Sequence, residues 1–167
     1  MKAEGDRMSK KAKNQAKTLL RAALKNDSAL QEHVKDGMGA IKHGHKNYFE
    51  TAIRTSFADS LELDEAMLKG HENENRWDYL LGHGPTDTMI AVEPHSAKQD
   101  QISTVINKRK MAKVRLQDHL KEGKSVSKWL WVASGEVHFA NTEKARLKLD
   151  ENGITFVGTQ VKAKHIS

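Results

Sequence analysis

The sequence predicts an α/β protein whose mixed central sheet is flanked by helices. Apolar runs at 88–94 and 127–134 are typical of buried strands, and a long amphipathic stretch lies between them. A strand–helix–strand crossover of this kind joins parallel neighbours in a sheet. The segment GHGPTDT, 82–88, holds two Gly and a Pro, which favours a chain reversal and an antiparallel hairpin before the crossover. Parallel and antiparallel pairs together predict a mixed sheet.

Composition excludes several classes of protein. The chain has 167 residues, which suits one domain with a sizeable core. Charged residues make up 30% of the chain, and no apolar run approaches the roughly 18 residues of a membrane helix. The absence of cysteine excludes disulfides, thiolate catalysis and cysteine-based zinc sites. The N-terminal segment lacks the apolar stretch of a secretory signal, so we expect a cytoplasmic protein.

The positive charge is concentrated in two segments. Residues 1–25 carry eight basic and two acidic residues, which accounts for the whole net charge of +6. A second excess lies at 98–124, with eight basic residues against three acidic ones. Such patches suit a polyanion, although a solvated tail and a solvated helix face explain them equally well. The residues that we expect to contact nucleic acid are Lys10, Lys11, Lys13, Lys108, Arg109, Lys110, Lys113 and Arg115.

The first half of the chain divides into an extension and the start of the core. We assign residues 1–45 to a basic, partly helical N-terminal extension and 46–167 to the α/β core of a single domain. Apolar residues at helical spacing predict a helix that begins over 16–24 and can continue past Asn26, and another over 47–68. The polar segment 69–76 reads as a connector.

The second half supplies the sheet. We predict hairpin strands at about 77–81 and 88–94, followed by a helix that a capping box of Ser96 and Gln99 opens and Gly123 ends. A buried strand is predicted at 127–134 and a short one at 137–140, after a turn at 134–135. The segment DENG, 150–153, predicts a last hairpin between strands at 146–149 and 154–157.

Two carboxylates in the first hairpin form a candidate metal site. If the reversal centres on Pro85 and Thr86, Asp78 and Glu93 lie opposite each other on one face of the sheet. Opposed side chains in an antiparallel pair are about 4.5–5.5 Å apart. Carboxylates that close repel each other unless a proton or a metal ion lies between them.

With His95, these residues resemble the PD-(D/E)xK nuclease superfamily, which has the restriction-endonuclease-like fold. Its pattern is an Asp on one strand, a Glu-x-Lys on the next antiparallel strand, and then a helix. Asp78 and Glu93 match the two acids, and His95 stands at the position of the Lys. The resemblance covers roughly residues 47–134 and lies in the α-β-β-α-β element order more than in the sequence. It implies a metal-dependent endonuclease or exonuclease that hydrolyses nucleic acid, DNA rather than RNA.

The resemblance also implies roles for other residues. Asp78 and Glu93 would hold Mg²⁺ or Mn²⁺, with Glu50 and the carbonyl of Pro94 as further ligands. His95 would assist catalysis, or Lys98 in the first turn of the following helix would supply the missing cation. A homodimer would provide the two sites that cutting both strands requires.

The sequence departs from the family pattern, and alternatives stay open. Only two strands are clear before the long helix, where the family core has three, and a Trp instead of a Pro precedes Asp78. Glu93 could form a structural ion pair with Arg76 or Arg109 instead of binding a metal. Because His95 replaces the Lys, the protein could also be a catalytically inactive module of the same fold that binds nucleic acid or another protein.

Overall fold

The computed structural model describes residues 18–70, 72, 75–137 and 143–167. Its centre is a six-stranded sheet in the order β1-β2-β3-β4-β5-β6. The strands are β1 (Lys35–Asp36), β2 (Phe57–Glu62), β3 (Tyr79–His83), β4 (Thr88–Ala97), β5 (Val126–Val137) and β6 (Ile154–Phe156). The α-helices are α1 (Leu19–Ala23), α2 (Leu63–Ala66), α3 (Ile102–Gln117), α4 (Glu143–Glu151) and α5 (Ala163–Ile166). Short 3-10 helices cover Ala29–His33, His43–Tyr48, Thr51–Ser56 and Gln99–Gln101.

The sheet is mixed, as the sequence predicts. Strands β1 to β4 form an antiparallel meander, and β5 and β6 then pair in parallel with the preceding strand. The two parallel connections contain α3 and α4. Within the part of the chain that the structure describes, none of the helices has the length and apolar character that crossing a bilayer requires.

The predicted hairpin of β3 and β4 is confirmed. Tyr79 pairs with Val92 and His83 with Thr88. Continued by one residue, this register places Asp78 opposite Glu93. The turn residues and the alternation of apolar residues therefore predict correctly that Asp78 lies opposite Glu93.

Apolar side chains pack on both faces of the sheet. One cluster includes Leu80 and Ala91 of the hairpin together with Trp129, Trp131 and the apolar face of α3. The opposite cluster combines alternate strand residues with the segment before β2 and the C-terminal residues. Asp78 and Glu93 share strand parity with Leu80 and Ala91, so they lie on the face that α3 covers.

Part of the segment assigned to the N-terminal extension belongs to the sheet and its core. Strand β1 pairs with β2, while Leu20 and Leu24 are fully buried. A β-bridge also joins Leu24 to Leu120, beyond the end of α3. Residues 1–17, with Lys10, Lys11 and Lys13, lie outside the described residues.

The prediction of a helix over 47–68 is wrong. The chain there forms 3-10 turns, strand β2 and the short helix α2. Polar residues in β2 find tertiary partners: the Asp59 carboxylate accepts the Leu20 N–H at 2.9 Å, and the Ser60 hydroxyl accepts the Ala40 N–H at 2.9 Å. A strand can bury such residues because distant backbone groups satisfy them, and helical spacing of the apolar residues does not reveal this.

Three boundaries also differ from prediction. The strand predicted at 146–149 lies inside α4, where Ala145 and Leu149 are buried one helical turn apart. Helix α3 ends before Gly123, and its predicted capping box does not form because Ser96 still belongs to β4. Strand β5 runs through the predicted turn at 134–135 to Val137, and residues 138–140 are not described.

Gly82 lies where β3 meets α1, and this contact gives a stability prediction. A Cβ on Gly82 would overlap the Asp59 carboxylate and lie 2.9 Å from the Cβ of Leu19. We expect Gly82→Ala to lower the free energy of unfolding by about 1–3 kcal/mol, because the added methyl must displace the group that caps α1. Urea denaturation measures the change. Gly44→Ala is the control, since a Cβ there meets no atom within 4 Å, and equal stability of both variants would contradict the expectation.

Candidate functional site

Glu93 is the centre of the candidate site. It lies in the middle of β4, its side chain is 0% exposed, and both of its carboxylate oxygens are hydrogen-bonded. The backbone N–H of Asp78 donates to Oε1 at 2.9 Å. The ammonium of Lys108 donates to Oε2 at 2.7 Å, and Nδ1 of His95 lies 3.3 Å from the same oxygen. These contacts fix the carboxylate in one orientation.

The cation that pairs with Glu93 is Lys108, and not Arg76 or Arg109 as expected from the sequence. The Lys108 side chain projects from α3 and is 17% exposed. The two predicted partners of Glu93 are occupied elsewhere: Arg76 pairs with Asp64 at 3.0 Å, and the guanidinium carbon of Arg109 lies 5.4 Å from the ring centre of Trp129. Glu93 therefore forms an ion pair with Lys108, a residue that was predicted to contact nucleic acid.

The spacing of apolar residues in α3 makes Lys108 a candidate partner of Glu93. Lys108 comes three positions after Val105 and four before Ala112, both of which are buried. A lysine at that position falls on the apolar stripe that faces the sheet. Because Arg109 also falls near this stripe, spacing alone leaves two candidate cations.

His95 is held between two oxygen atoms. Its Nδ1 faces Glu93, and its Nε2 lies 2.7 Å from Oε1 of Gln101. The hydrogen bond to Glu93 is the main cause that raises the pKa of His95 above its usual value of 6.5. A proton on each ring nitrogen would satisfy both oxygen atoms, and this arrangement favours the imidazolium form. The indole N–H of Trp131 donates to the His95 carbonyl at 3.1 Å and fixes the backbone there.

Asp78 is an acid without an ion-pair partner among the described residues, although the more distant charges of Lys108 and Lys42 partly offset the effect of its burial. Burial, followed by the charge of Glu93, raises the pKa of Asp78 to about 7. Two neighbouring acids have cationic partners, because Asp64 pairs with Arg76 and Glu62 pairs with Lys42. Among the residues that the structure describes, no basic side chain lies within ion-pair distance of Asp78. A bound cation would relieve this repulsion.

Asp78 and Glu93 are carboxylates, the ligand type that magnesium and manganese ions prefer. Mg²⁺ is commonly bound through one or two carboxylates while water and substrate phosphate complete its coordination. The structure does not bring Glu50 to this pair, and residues 18–70, 72, 75–137 and 143–167 contain no group of three or more His, Asp or Glu side chains placed to hold a metal. The N–H of Glu50 instead donates to the carbonyl of Val161 at 2.9 Å, beside the core cluster on the other face of the sheet. The donor set that can be assembled is therefore Asp78 and Glu93.

Lys98, the other predicted cation, is exposed. It follows the end of β4 and precedes the 3-10 helix Gln99–Gln101. The ammonium group that the structure places on Glu93 belongs to Lys108. The cation beside Glu93 therefore comes from the middle of α3.

The five basic residues predicted as a nucleic-acid surface on α3 do not act alike. Lys108 is bound to Glu93, and Arg109 packs over Trp129. Lys110 and Lys113 are exposed, while Arg115 is half-buried. The helix thus presents two fully accessible lysines to solvent, fewer than its sequence suggests.

Comparisons with known proteins find no match, so any inference about function rests on this geometry. The chain matches no protein-family model, and no curated protein or solved structure is significantly similar to it.

Proposed function

We propose that the protein is a metal-dependent nuclease that hydrolyses phosphodiester bonds in nucleic acid, DNA rather than RNA. Asp78 and Glu93 would hold Mg²⁺ or Mn²⁺. The observation that carries the proposal is the position of Asp78 directly opposite Glu93, a fully buried carboxylate. Burial and the charge of Glu93 raise the pKa of Asp78 to about 7. Acids arranged in this way are typical of cation sites.

The order of the elements supports the proposal. The core of the PD-(D/E)xK superfamily has three strands before its central helix, and the sequence alone reveals two. Strand β2 supplies the third, so β2, β3 and β4 form an antiparallel meander before α3 and the parallel strand β5. Asp78 lies directly before β3 and Glu93 lies in the adjacent strand β4, whereas in that family both acids occupy adjacent strands.

Lys108 is our candidate for the role of the missing motif lysine. In the family that lysine stabilises developing charge and helps to position the attacking water. The ammonium of Lys108 already lies 2.7 Å from Glu93, and His95 adds a second positive charge on the same oxygen. Lys98 is the weaker candidate because its side chain is exposed.

Each group then has a defined part in hydrolysis. When bound, the metal lowers the pKa of a coordinated water and neutralises charge on the phosphate. The Asp78 N–H holds Glu93 in a fixed orientation. Lys108, and His95 in its imidazolium form, would stabilise negative charge that develops on a phosphate bound beside Glu93. Lys110 and Lys113 would contact neighbouring phosphates, in a manner that is sensitive to salt.

The test is cleavage of plasmid DNA, single-stranded DNA and RNA by the full chain, with Mg²⁺, Mn²⁺ or EDTA. We expect cleavage that requires metal, prefers DNA and falls by about 10²-fold or more in Glu93→Gln and in Lys108→Met. The control is Lys144→Met, which removes an exposed lysine from α4 and should retain most activity. Cleavage that persists in EDTA, or a well-folded protein that cuts none of these substrates, would overturn the proposal.

A second candidate is a catalytically inactive module of the same fold that binds nucleic acid or another protein. The observation in its favour is that both oxygens of Glu93 already accept hydrogen bonds, from Asp78, Lys108 and His95. A salt-dependent affinity for DNA without turnover, unchanged by Mn²⁺, would support this candidate.

A further inference from the structure

A second concave site lies at the opposite end of α3. The cavity has a volume of about 300 Å³ and lies between the last turns of α3, the segment that leads into β5, and the turn before β6. Its basic lining residues are Arg109, Lys113 and Lys124, and no acidic residue of the described chain lines it. Leu116, Leu120 and Trp129 provide an apolar wall.

Arg109 is held rigidly at this cavity. Its guanidinium carbon lies 5.4 Å from the ring centre of Trp129. On the other side it contacts Gly153, where a Cβ would lie 2.7 Å from Nη2 and 2.9 Å from Cζ. Glycine at 153 is therefore needed for the close approach of the guanidinium, and its positive φ of 72° independently favours glycine.

The hydrogen-bonding capacity of Arg109 is unfilled. Its Nε is buried and has no hydrogen-bond partner among the described residues. Lys113, one helical turn further along α3, lines the same cavity, as do the polar residues Ser125 and Ser127. In the part of the chain that the structure describes, Arg109, Lys113 and Lys124 form no ion pair. Three uncompensated cations around one cavity create a strongly positive local potential.

We infer that this cavity binds a phosphomonoester about the size of a mononucleotide. A phosphate dianion accepts charged hydrogen bonds from a fixed guanidinium and from ammonium groups together. A volume of about 300 Å³ exceeds what a bare phosphate needs and reaches the lower range of small-molecule pockets. The group attached to the phosphate would contact the apolar wall formed by Leu116, Leu120 and Trp129.

The cavity is separate from the candidate nuclease site. Glu93 is level with Trp131 in β5, whereas Val126, which lines the cavity, is level with Met89. Trp129, the nearest lining residue in β5, is two residues from Trp131. At about 3.3 Å per residue along a strand, the wall of the cavity extends from about 7 Å to about 16 Å away from the level of Glu93. The inference therefore does not depend on the proposed nuclease activity.

The test is isothermal titration calorimetry on the full chain at low ionic strength. The probes are adenosine 5′-monophosphate, adenosine and citrate, together with one oligonucleotide bearing either a 5′-phosphate or a 5′-hydroxyl. We expect binding of the monophosphate and none of adenosine. Tight binding of the phosphorylated oligonucleotide as well would identify the end of a nucleic acid as the source of the phosphate, and binding of the monophosphate alone would identify a free nucleotide.

Variants localise the binding. Arg109→Gln is expected to weaken monophosphate binding at least about tenfold, and Lys113→Gln, an exposed position that should not affect folding, should weaken it in the same direction. The matched control is Lys110→Gln, which removes a lysine of α3 that does not line this cavity. The Nε–H resonance of Arg109 should shift on titration.

The inference is overturned if adenosine or citrate binds as tightly as the monophosphate, or if the monophosphate does not bind. The oligonucleotide is informative only through the difference in affinity between its 5′-phosphate and 5′-hydroxyl forms. It is also overturned if Lys110→Gln weakens binding as much as Lys113→Gln does.

Discussion

Glu93→Ala is expected to lower the free energy of unfolding by about 3–5 kcal/mol. The substitution leaves the ammonium of Lys108, which is 17% exposed, without its carboxylate. It also removes the acceptor of the Asp78 N–H and of His95 Nδ1. Breaking one side of a buried ion pair is costly because the remaining charge keeps its desolvation penalty.

Urea and thermal denaturation measure this loss, which corresponds to a fall in Tm of roughly 6–20 °C for a chain of this size. Glu122→Ala, at an exposed acid, is the control and should change stability little. The double variant Glu93→Leu with Lys108→Met should recover most of the loss, because paired apolar residues replace a buried ion pair with small cost. A stability for Glu93→Ala within about 1 kcal/mol of the wild type would contradict the structural importance of this pair.

The double variant also separates structure from function. It keeps a filled core at the middle of β4 but lacks both the candidate metal ligand and the candidate catalytic cation. If the folded double variant does not cleave DNA that the wild type cleaves, the charges at Glu93 and Lys108 act in chemistry as well as in folding.

The hairpin that holds the site could be predicted from sequence because its determinants are local. The turn GHGPTDT and the flanking apolar runs set the register, so the opposition of Asp78 and Glu93 follows from residues close together in the chain. Strand β5 is predictable for a similar reason, since its apolar run is nearly continuous.

The cation on Glu93 could not be chosen from sequence. Lys108 and Arg109 are adjacent, and both fall near the apolar stripe of α3. Which of them reaches the acid depends on the rotation of the helix about its axis, and tertiary packing sets that rotation. In the structure Trp129 and Gly153 accommodate Arg109, and this leaves Lys108 to face β4.

Strand β2 could not be predicted from the sequence either. Its buried Asp59 caps α1, a segment 39 residues earlier in the chain. The apolar residues around it have helical spacing, and no local pattern indicates that a distant backbone N–H will satisfy the carboxylate. Non-local hydrogen bonds of this kind override the local signal.

Asp78→Asn is expected to stabilise the protein at neutral and alkaline pH while it abolishes metal-dependent cleavage. The pKa of Asp78 is raised to about 7 in the folded protein, above the ordinary value of an unfolded chain. The folded state therefore retains a proton that the unfolded state has released, and wild-type stability falls as the pH rises from about 4 to 7. An amide has no charge to bury, so the variant loses this pH dependence and gains stability above pH 7, by up to about 4 kcal/mol. Below about pH 4 the two proteins should be nearly equal in stability.

Thermal denaturation from pH 4 to 8, with and without Mn²⁺, checks each part of this expectation. Mn²⁺ should raise the Tm of the wild type at pH 7.5, because it binds the folded state and compensates Asp78, but it should leave Asp78→Asn unchanged. Asp64→Asn is the matched control: that acid already pairs with Arg76, so its removal should not stabilise the protein. If Asp78→Asn is less stable than the wild type at pH 8, the carboxylate has a compensating partner in the folded protein, and the metal site loses its main physical support.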